Sequence, residues 1–239
     1  MTVLVAGCSL SSGWGFDNPA DIWPNLVSHR LKQPLINLAH TSSSNGDIFL
    51  SAIRAQDLDY DLRLIQWTAL NRITVSSSPV NNPIILSFHD QFLEQAIPGI
   101  SVQEIQTFTK ILSHLNQDWK HYFDLIDMIE ILQQDPRTCF INGLLPWNRE
   151  FFETDWTIPL SETNNFLESL LQVNEFADRQ LAQFLNQVLT ARNRVDVKRW
   201  ISLDSWESAK IDTVSATDPH PGPLSQIKYA DQVLEYILV

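Results

Sequence analysis

Three short segments, far apart in the chain, carry residue types that together could make an acyl-transfer site: Gly7-Cys8-Ser9-Leu10-Ser11-Ser12-Gly13, the hydroxyl-rich turn Thr41 to Asn45, and Asp218-Pro219-His220-Pro221. A serine hydroxyl is a weak nucleophile until a neighbouring base takes its proton, and it must stand where a substrate can reach it. Ser9 follows the apolar run Thr2 to Ala6, which reads as a buried strand leaving through Gly7 into a polar loop, so its position meets the second demand. Gly7 allows the backbone to turn tightly, and the Ser9 amide can face an oxygen that becomes negative during acyl transfer. His220 sits between two prolines that stiffen its backbone, two residues from a carboxylate. A hydrogen bond to Asp218 would fix the imidazole tautomer and stabilise the imidazolium formed when Ser9 gives up its proton. Asp212 is a second candidate for that orienting role. Cys8 is the other nucleophile by type, but it alternates to the side opposite Ser9.

The elements that must position these residues follow from periodicity. Asp21 to Leu31 has apolar residues at helical spacing, and Pro34 resets the chain for a short strand, Leu35 to Leu38. Gly46 to Ala55 reads as a helix and Leu62 to Thr68 as a third strand. Strands separated by helices of this length predict a parallel sheet with its functional loops at the carboxyl ends of the strands. Ile73 to Gly99 reads as an excursion or lid, at about 73–99. A capping box at Ser101 to Glu104 opens a long helical segment, about 101–134. Thr138 to Asn142 is a further buried strand, and Leu144 to Pro159 a loop rich in Trp, Phe and acids. A second long helical segment, about 163–189, and a closing helix, about Leu224 to Ile237, complete one domain over residues 1–239. Asn142, at the end of its strand, reads as a turn residue.

Composition removes several classes of function. The chain has 239 residues, 44% hydrophobic and 18% charged, which suits one globular core. Its net charge of −12, from 28 acids against 16 bases, repels nucleic acid and anionic membranes at long range. No apolar run approaches the roughly 20 residues that span a bilayer. Cys8 and Cys139 give no disulfide framework and fit a reducing, cytoplasmic setting. His29, His114 and His121 lack a second ligand at metal spacing, and His89-Asp90 is a lone pair, so neither a metal nor a cofactor is expected.

With these residues in place, the chain resembles the SGNH/GDSL hydrolase family, in which an N-terminal Ser works with a C-terminal Asp and His. Four matches carry the resemblance: Gly7-Cys8-Ser9-Leu10, Asn37-Leu-Ala-His-Thr-Ser-Ser-Ser-Asn45, Ile65-Gln-Trp-Thr68 and Asp218-Pro-His220-Pro221. The Trp23-Pro24 pair and the Asn-Leu-Ala lead-in are similar to a GCS-type subgroup. The resemblance implies a three-layer α/β/α sandwich with a central, mostly parallel, flavodoxin-like sheet, and a small-molecule acyl substrate: an ester, thioester or acetylated sugar. It implies catalysis by Ser9, His220 and Asp218. It also implies an oxyanion hole from the amides of Ser9 and of Ser42, which stands where the family has Gly. A third donor would be the side chain of Asn45, Thr68 or Asn71, because Trp67-Thr68-Ala69-Leu70-Asn71 has no Asn at the place where the family has one. Cys8 stands where the family has Asp or Asn, and the step from Asp to His is two residues where three is common. Trp14, Trp147 and Trp156 fall on loops near the expected cleft, where they would form an apolar acyl- or ring-binding wall. The same acyl-enzyme would serve an acyltransferase, and a non-catalytic ligand-binding protein of the same fold is the third reading. The long helices leave a monomer or a homodimer open.

Overall fold

The computed structural model describes residues 1–68, 72–75, 84–87, 118–144, 187–188, 190–201 and 210–238. Its frame is a five-stranded, all-parallel sheet. The strands are β1 (Val3–Ala6), β2 (Leu35–Asn37), β3 (Leu62–Gln66), β6 (Thr138–Ile141) and β7 (Trp200–Ile201), in the order β2-β1-β3-β6-β7. A separate antiparallel pair, β4 (Arg72–Val75) and β5 (Ile84–Ser87), overlaps the segment read as an excursion, Ile73 to Gly99. Strand β1 is buried along its whole length, which is why it reads as an apolar run, and β3 is equally buried although it carries Arg63 and Gln66. The two-residue β7 had no signal of its own in the sequence. It is fixed by pairing with β6, with Phe140 opposite Trp200 and Ile141 opposite Ile201. Trp67, Phe140 and Trp200 form an aromatic row in the core, with centroids 6.1 and 6.0 Å apart.

The chain leaves β1 towards one edge of the sheet and returns from β2 across β1 to β3. Right-handed crossovers therefore place the two connecting helices on opposite faces. On one face α2 (Trp23–Leu31) packs against the closing helix α5 (Pro223–Leu238). On the other, α3 (Asn45–Arg54) packs against α4 (Asp118–Leu132). This is the three-layer α/β/α arrangement expected from the sequence. Local signals set the helix ends. Pro24 stands in the first turn of α2, and Lys32 closes that helix in the left-handed conformation. Ser44 and Asp47 form a reciprocal capping box at the start of α3. The sheet order reverses at β1 and β3, so the crevice at their carboxyl ends is the place where this architecture binds ligands. Residues 101–117 of the first long helical segment and 163–186 of the second lie outside the described residues.

Candidate active site

Ser9 opens a single helical turn, α1 (Ser9–Ser12), directly beyond β1. The segment from Cys8 to Gly15, read as loop from sequence, is tightened into this turn because the Ser11 and Ser12 amides both donate to the Cys8 carbonyl at 3.0 Å. Gly13 ends the turn at φ 80°, a conformation that glycine adopts without a Cβ penalty. As the first residue of a helical turn, Ser9 keeps its own N–H without an intrahelical acceptor. Cys8 is fully buried in the core.

The other half of the site comes from the far end of the chain. Residues Asp212 to Gly222 form a tight loop. Its limbs are tied by Val214 N–H donating to the His220 carbonyl at 2.8 Å, by Gly222 N–H donating to the Asp212 carbonyl at 3.0 Å, and by a bridge between Thr213 and Pro221. Asp218 Oδ1 accepts the main-chain N–H of His220 at 3.0 Å and lies 2.6 Å from His220 Nδ1. The two-residue step thus suffices, because one carboxylate oxygen closes a turn on the histidine's backbone and also meets its ring. Burial opposes ionisation of Asp218, but the bonds from the His220 amide and ring outweigh it and hold the carboxyl below its ordinary range. His220 Nε2 then lies 3.2 Å from Ser9 Oγ, across a sequence separation of 211 residues. Ser9, His220 and Asp218 form one continuous hydrogen-bonded chain. Asp212 is engaged elsewhere: its carboxylate accepts the N–H groups of Leu224 and Ser225 at 2.9 and 2.8 Å and so caps α5.

Two glycines set the approach of these parts. Gly15 has φ 80°, and a Cβ there would come 2.8 Å from Asp218 Oδ2 and 2.9 Å from Val214 Cγ1. Gly143 has φ 52°, and a Cβ would come 2.1 Å from the Trp67 carbonyl oxygen, so the exits of β6 and β3 can touch only through glycine. Gly15, Asn37 and Gln66 received no role from the sequence. The available signals were a glycine two residues after another glycine and a lone amide at the end of β3.

The expected oxyanion residues fall into separate situations. Ser42 has φ 64°, in the left-handed region that residues with a Cβ rarely occupy. The Asn45 carboxamide is committed to main chain: it accepts the Thr68 N–H at 2.8 Å and donates to the Thr68 carbonyl at 3.1 Å. Thr68 is fully buried, and its hydroxyl has no hydrogen-bond partner among the described residues. Asn71 lies outside the described residues, as do Trp147 and Trp156. Trp14 is on the loop between Gly13 and Gly15, with 51% of its surface exposed. Asn142 is buried at the end of β6. Among the described residues there is no group of three or more His, Cys, Asp or Glu side chains that could hold a metal ion, and no helix long and apolar enough to cross a membrane.

No protein-family model matches the chain, and no curated protein sequence does. Solved structures do match. The chain is similar to a member of the lipolytic protein G-D-S-L family from Veillonella parvula, with 16% identity, 98% of this chain and 97% of that chain covered, and a TM-score of 0.43. It is similar to the psychrotrophic esterase EstA from Pseudoalteromonas sp., with 13% identity, 99% and 96% coverage, and a TM-score of 0.46. It is also similar to a salicylyl-acyltransferase, SsfX3, from a tetracycline biosynthetic pathway, with 11% identity, 99% of this chain but 54% of that chain covered, and a TM-score of 0.45.

Proposed function

We propose that this chain is a serine acyl hydrolase of the SGNH/GDSL type, an esterase acting on a small ester, thioester or acetylated substrate through an acyl-enzyme on Ser9. The observation that carries this reading is the chain Ser9 Oγ, His220 Nε2, His220 Nδ1, Asp218 Oδ1, with separations of 3.2 and 2.6 Å. In the first step His220 Nε2 takes the proton of Ser9 while Oγ attacks the acyl carbon, and Asp218 holds Nδ1–H and balances the imidazolium. The tetrahedral oxyanion is received by the amides of Ser9 and Ser42. His220 then returns its proton to the leaving oxygen or sulfur. A water, deprotonated by the same nitrogen, releases the acyl group and restores Ser9.

The left-handed Ser42 supports its part in this scheme. A non-glycine residue held at φ 64° costs roughly 1–2 kcal/mol and persists where the surrounding fold requires that backbone direction. The test is intact-protein mass after treatment with a fluorophosphonate, beside Ser9→Ala and His220→Ala. One adduct on the parent alone is expected. An adduct of equal yield on Ser9→Ala, or none on a folded parent, overturns the reading. If the adduct forms, product analysis with and without an added alcohol separates hydrolysis from acyl transfer through the same intermediate.

A further inference from the structure

The reaction above uses Ser9 and leaves unexplained Ser11, in the same turn, and its partner Gln66. Ser11 is completely buried and donates its hydroxyl hydrogen to Gln66 Oε1. Its main-chain carbonyl accepts Asn37 Nδ2 at 2.8 Å. Asn37 ends β2 and is itself fixed by the Ala39 N–H on its Oδ1 at 3.0 Å. Gln66 ends β3, is completely buried, and among the described residues has no hydrogen-bond partner for Nε2. A buried amide nitrogen left unpaired is costly, so an apolar side chain of the same length would suit packing better at this point. What the glutamine supplies is its oxygen, and that oxygen is spent on Ser11.

The neighbouring backbone is fitted to the same contact. A Cβ on Gly7 would come 2.5 Å from Ser11 Oγ and 3.2 Å from Gln66 Cβ, so the strand exit is glycine where the serine and glutamine meet. The turn that carries Ser9 is thereby gripped through Ser11 from both sides of β1: at its carbonyl by β2 and at its hydroxyl by β3. Ser12 adds a looser contact, 3.4 Å from Thr41 Oγ1.

We propose that Gln66 is a positioning residue for the nucleophile, acting through Ser11 to hold the single turn α1 so that Ser9 Oγ stays in reach of His220 Nε2. The inference rests on the acyl-hydrolase reading of the site. A misplacement of about 1 Å between reacting groups costs on the order of 10²-fold in rate, so the contact matters more to turnover than to binding.

The experiment measures kcat and KM on an aryl ester, with the rate of fluorophosphonate labelling, for the parent, Gln66→Leu, Ser11→Ala, the double variant and Gln66→Glu. Gln66→Leu and Ser11→Ala should each lose about 10- to 100-fold in kcat and labelling rate, with KM within about 2-fold of the parent. The double variant should lose no more than the worse single one, because both remove the same bond. Gln66→Glu, kept neutral by burial, retains an oxygen for Ser11 and should recover to within about 3-fold. Unchanged kcat in folded Gln66→Leu or in Ser11→Ala overturns the proposal, as do losses that multiply in the double variant. A folded parent that does not label at all instead fails the acyl-hydrolase reading, and the positioning role goes with it.

Discussion

The two ends of the parallel sheet both hold a carboxylate beside a nitrogen base, and they use it in opposite ways. At the carboxyl end, Asp218 meets one partner, His220, whose ring is 30% exposed. At the amino end, Asp135 accepts from Arg137 Nε and Nη2, each at 2.9 Å, and from the Tyr60 hydroxyl at 2.7 Å, with Arg63 at 3.7 Å. Arg63 is itself almost fully buried, with Nε on Thr138 Oγ1 and its other nitrogens on the carbonyls of Ala52 and Leu132. It therefore ties β3, α3, α4 and β6 together. A guanidinium stays charged at any working pH, so this end is a fastener. An imidazole can take up and return a proton, and among the described residues the Asp218 carboxylate holds His220 alone, so this end is suited to moving a proton.

If that contrast is right, the largest effect in the molecule belongs to Asp218→Asn. The asparagine keeps the shape but no longer selects the tautomer with Nδ1–H, and turnover should fall by about 10²- to 10⁴-fold while the melting temperature stays close to the parent's. Steady-state rates beside a thermal melt check this. A fall in melting temperature with turnover intact would mean that Asp218 is a fastener too.

The mirror experiment is Arg63→Met. Three acceptors lose their donor in the core, and stability should drop by about 2–4 kcal/mol, read from urea unfolding, with labelling of Ser9 per folded molecule unchanged. Lost labelling at full stability would show that the two ends are not separate in role.

Gly15→Ala probes the boundary between the two behaviours, because it touches the triad through backbone alone. The added methyl meets Asp218 Oδ2 and Val214 at a backbone angle of φ 80°. It should cost about 1–2 kcal/mol of stability and about 10-fold in kcat. A variant with parental kcat would show that Asp218 does not depend on that close approach.

What the sequence made legible divides along similar lines. The parallel sheet was readable because β1 is a buried apolar run, and the helices of the first half because Asp21 to Leu31 and Gly46 to Ala55 carry apolar residues at helical spacing. Ser9, His220 and Asp218 were singled out by residue type and by their places beside a strand exit and between prolines, and the fold brings the three into contact. The choice between Asp218 and Asp212 was not readable, since both precede His220 at short range. In the fold Asp218 meets the His220 ring, while Asp212 caps α5. The clamp of Asn45 on Thr68 and the bond between Ser11 and Gln66 were hidden for a different reason. Each joins residues 23 or 55 positions apart through a side-chain geometry that no periodicity encodes. Strand β7 was missed because two residues carry no period at all.

The smallest expected effect separates the ends by pH. Asp135 is held well below the ordinary carboxylate range, first by its bonds to Arg137, against the opposing influence of burial, then by Tyr60 and Arg63. A folded-state value below the unfolded one adds stability that is fully present above the unfolded value, about 3.9 for Asp, and is lost as pH falls from there through the lowered folded value. Asp135→Asn removes this contribution. Its melting temperature should lie below the parent's at pH 7 and converge on it as pH drops below about 4. Asp218→Asn should show the same convergence in a weaker form, because Asp218 has fewer donors to lose, while its deficit in turnover persists across the neutral range. Melts of the two variants at a series of pH values check both statements. A gap for Asp135→Asn that stays constant down to pH 2 would mean that its carboxylate holds the strands by shape alone, and the two ends would then differ less than their chemistry implies.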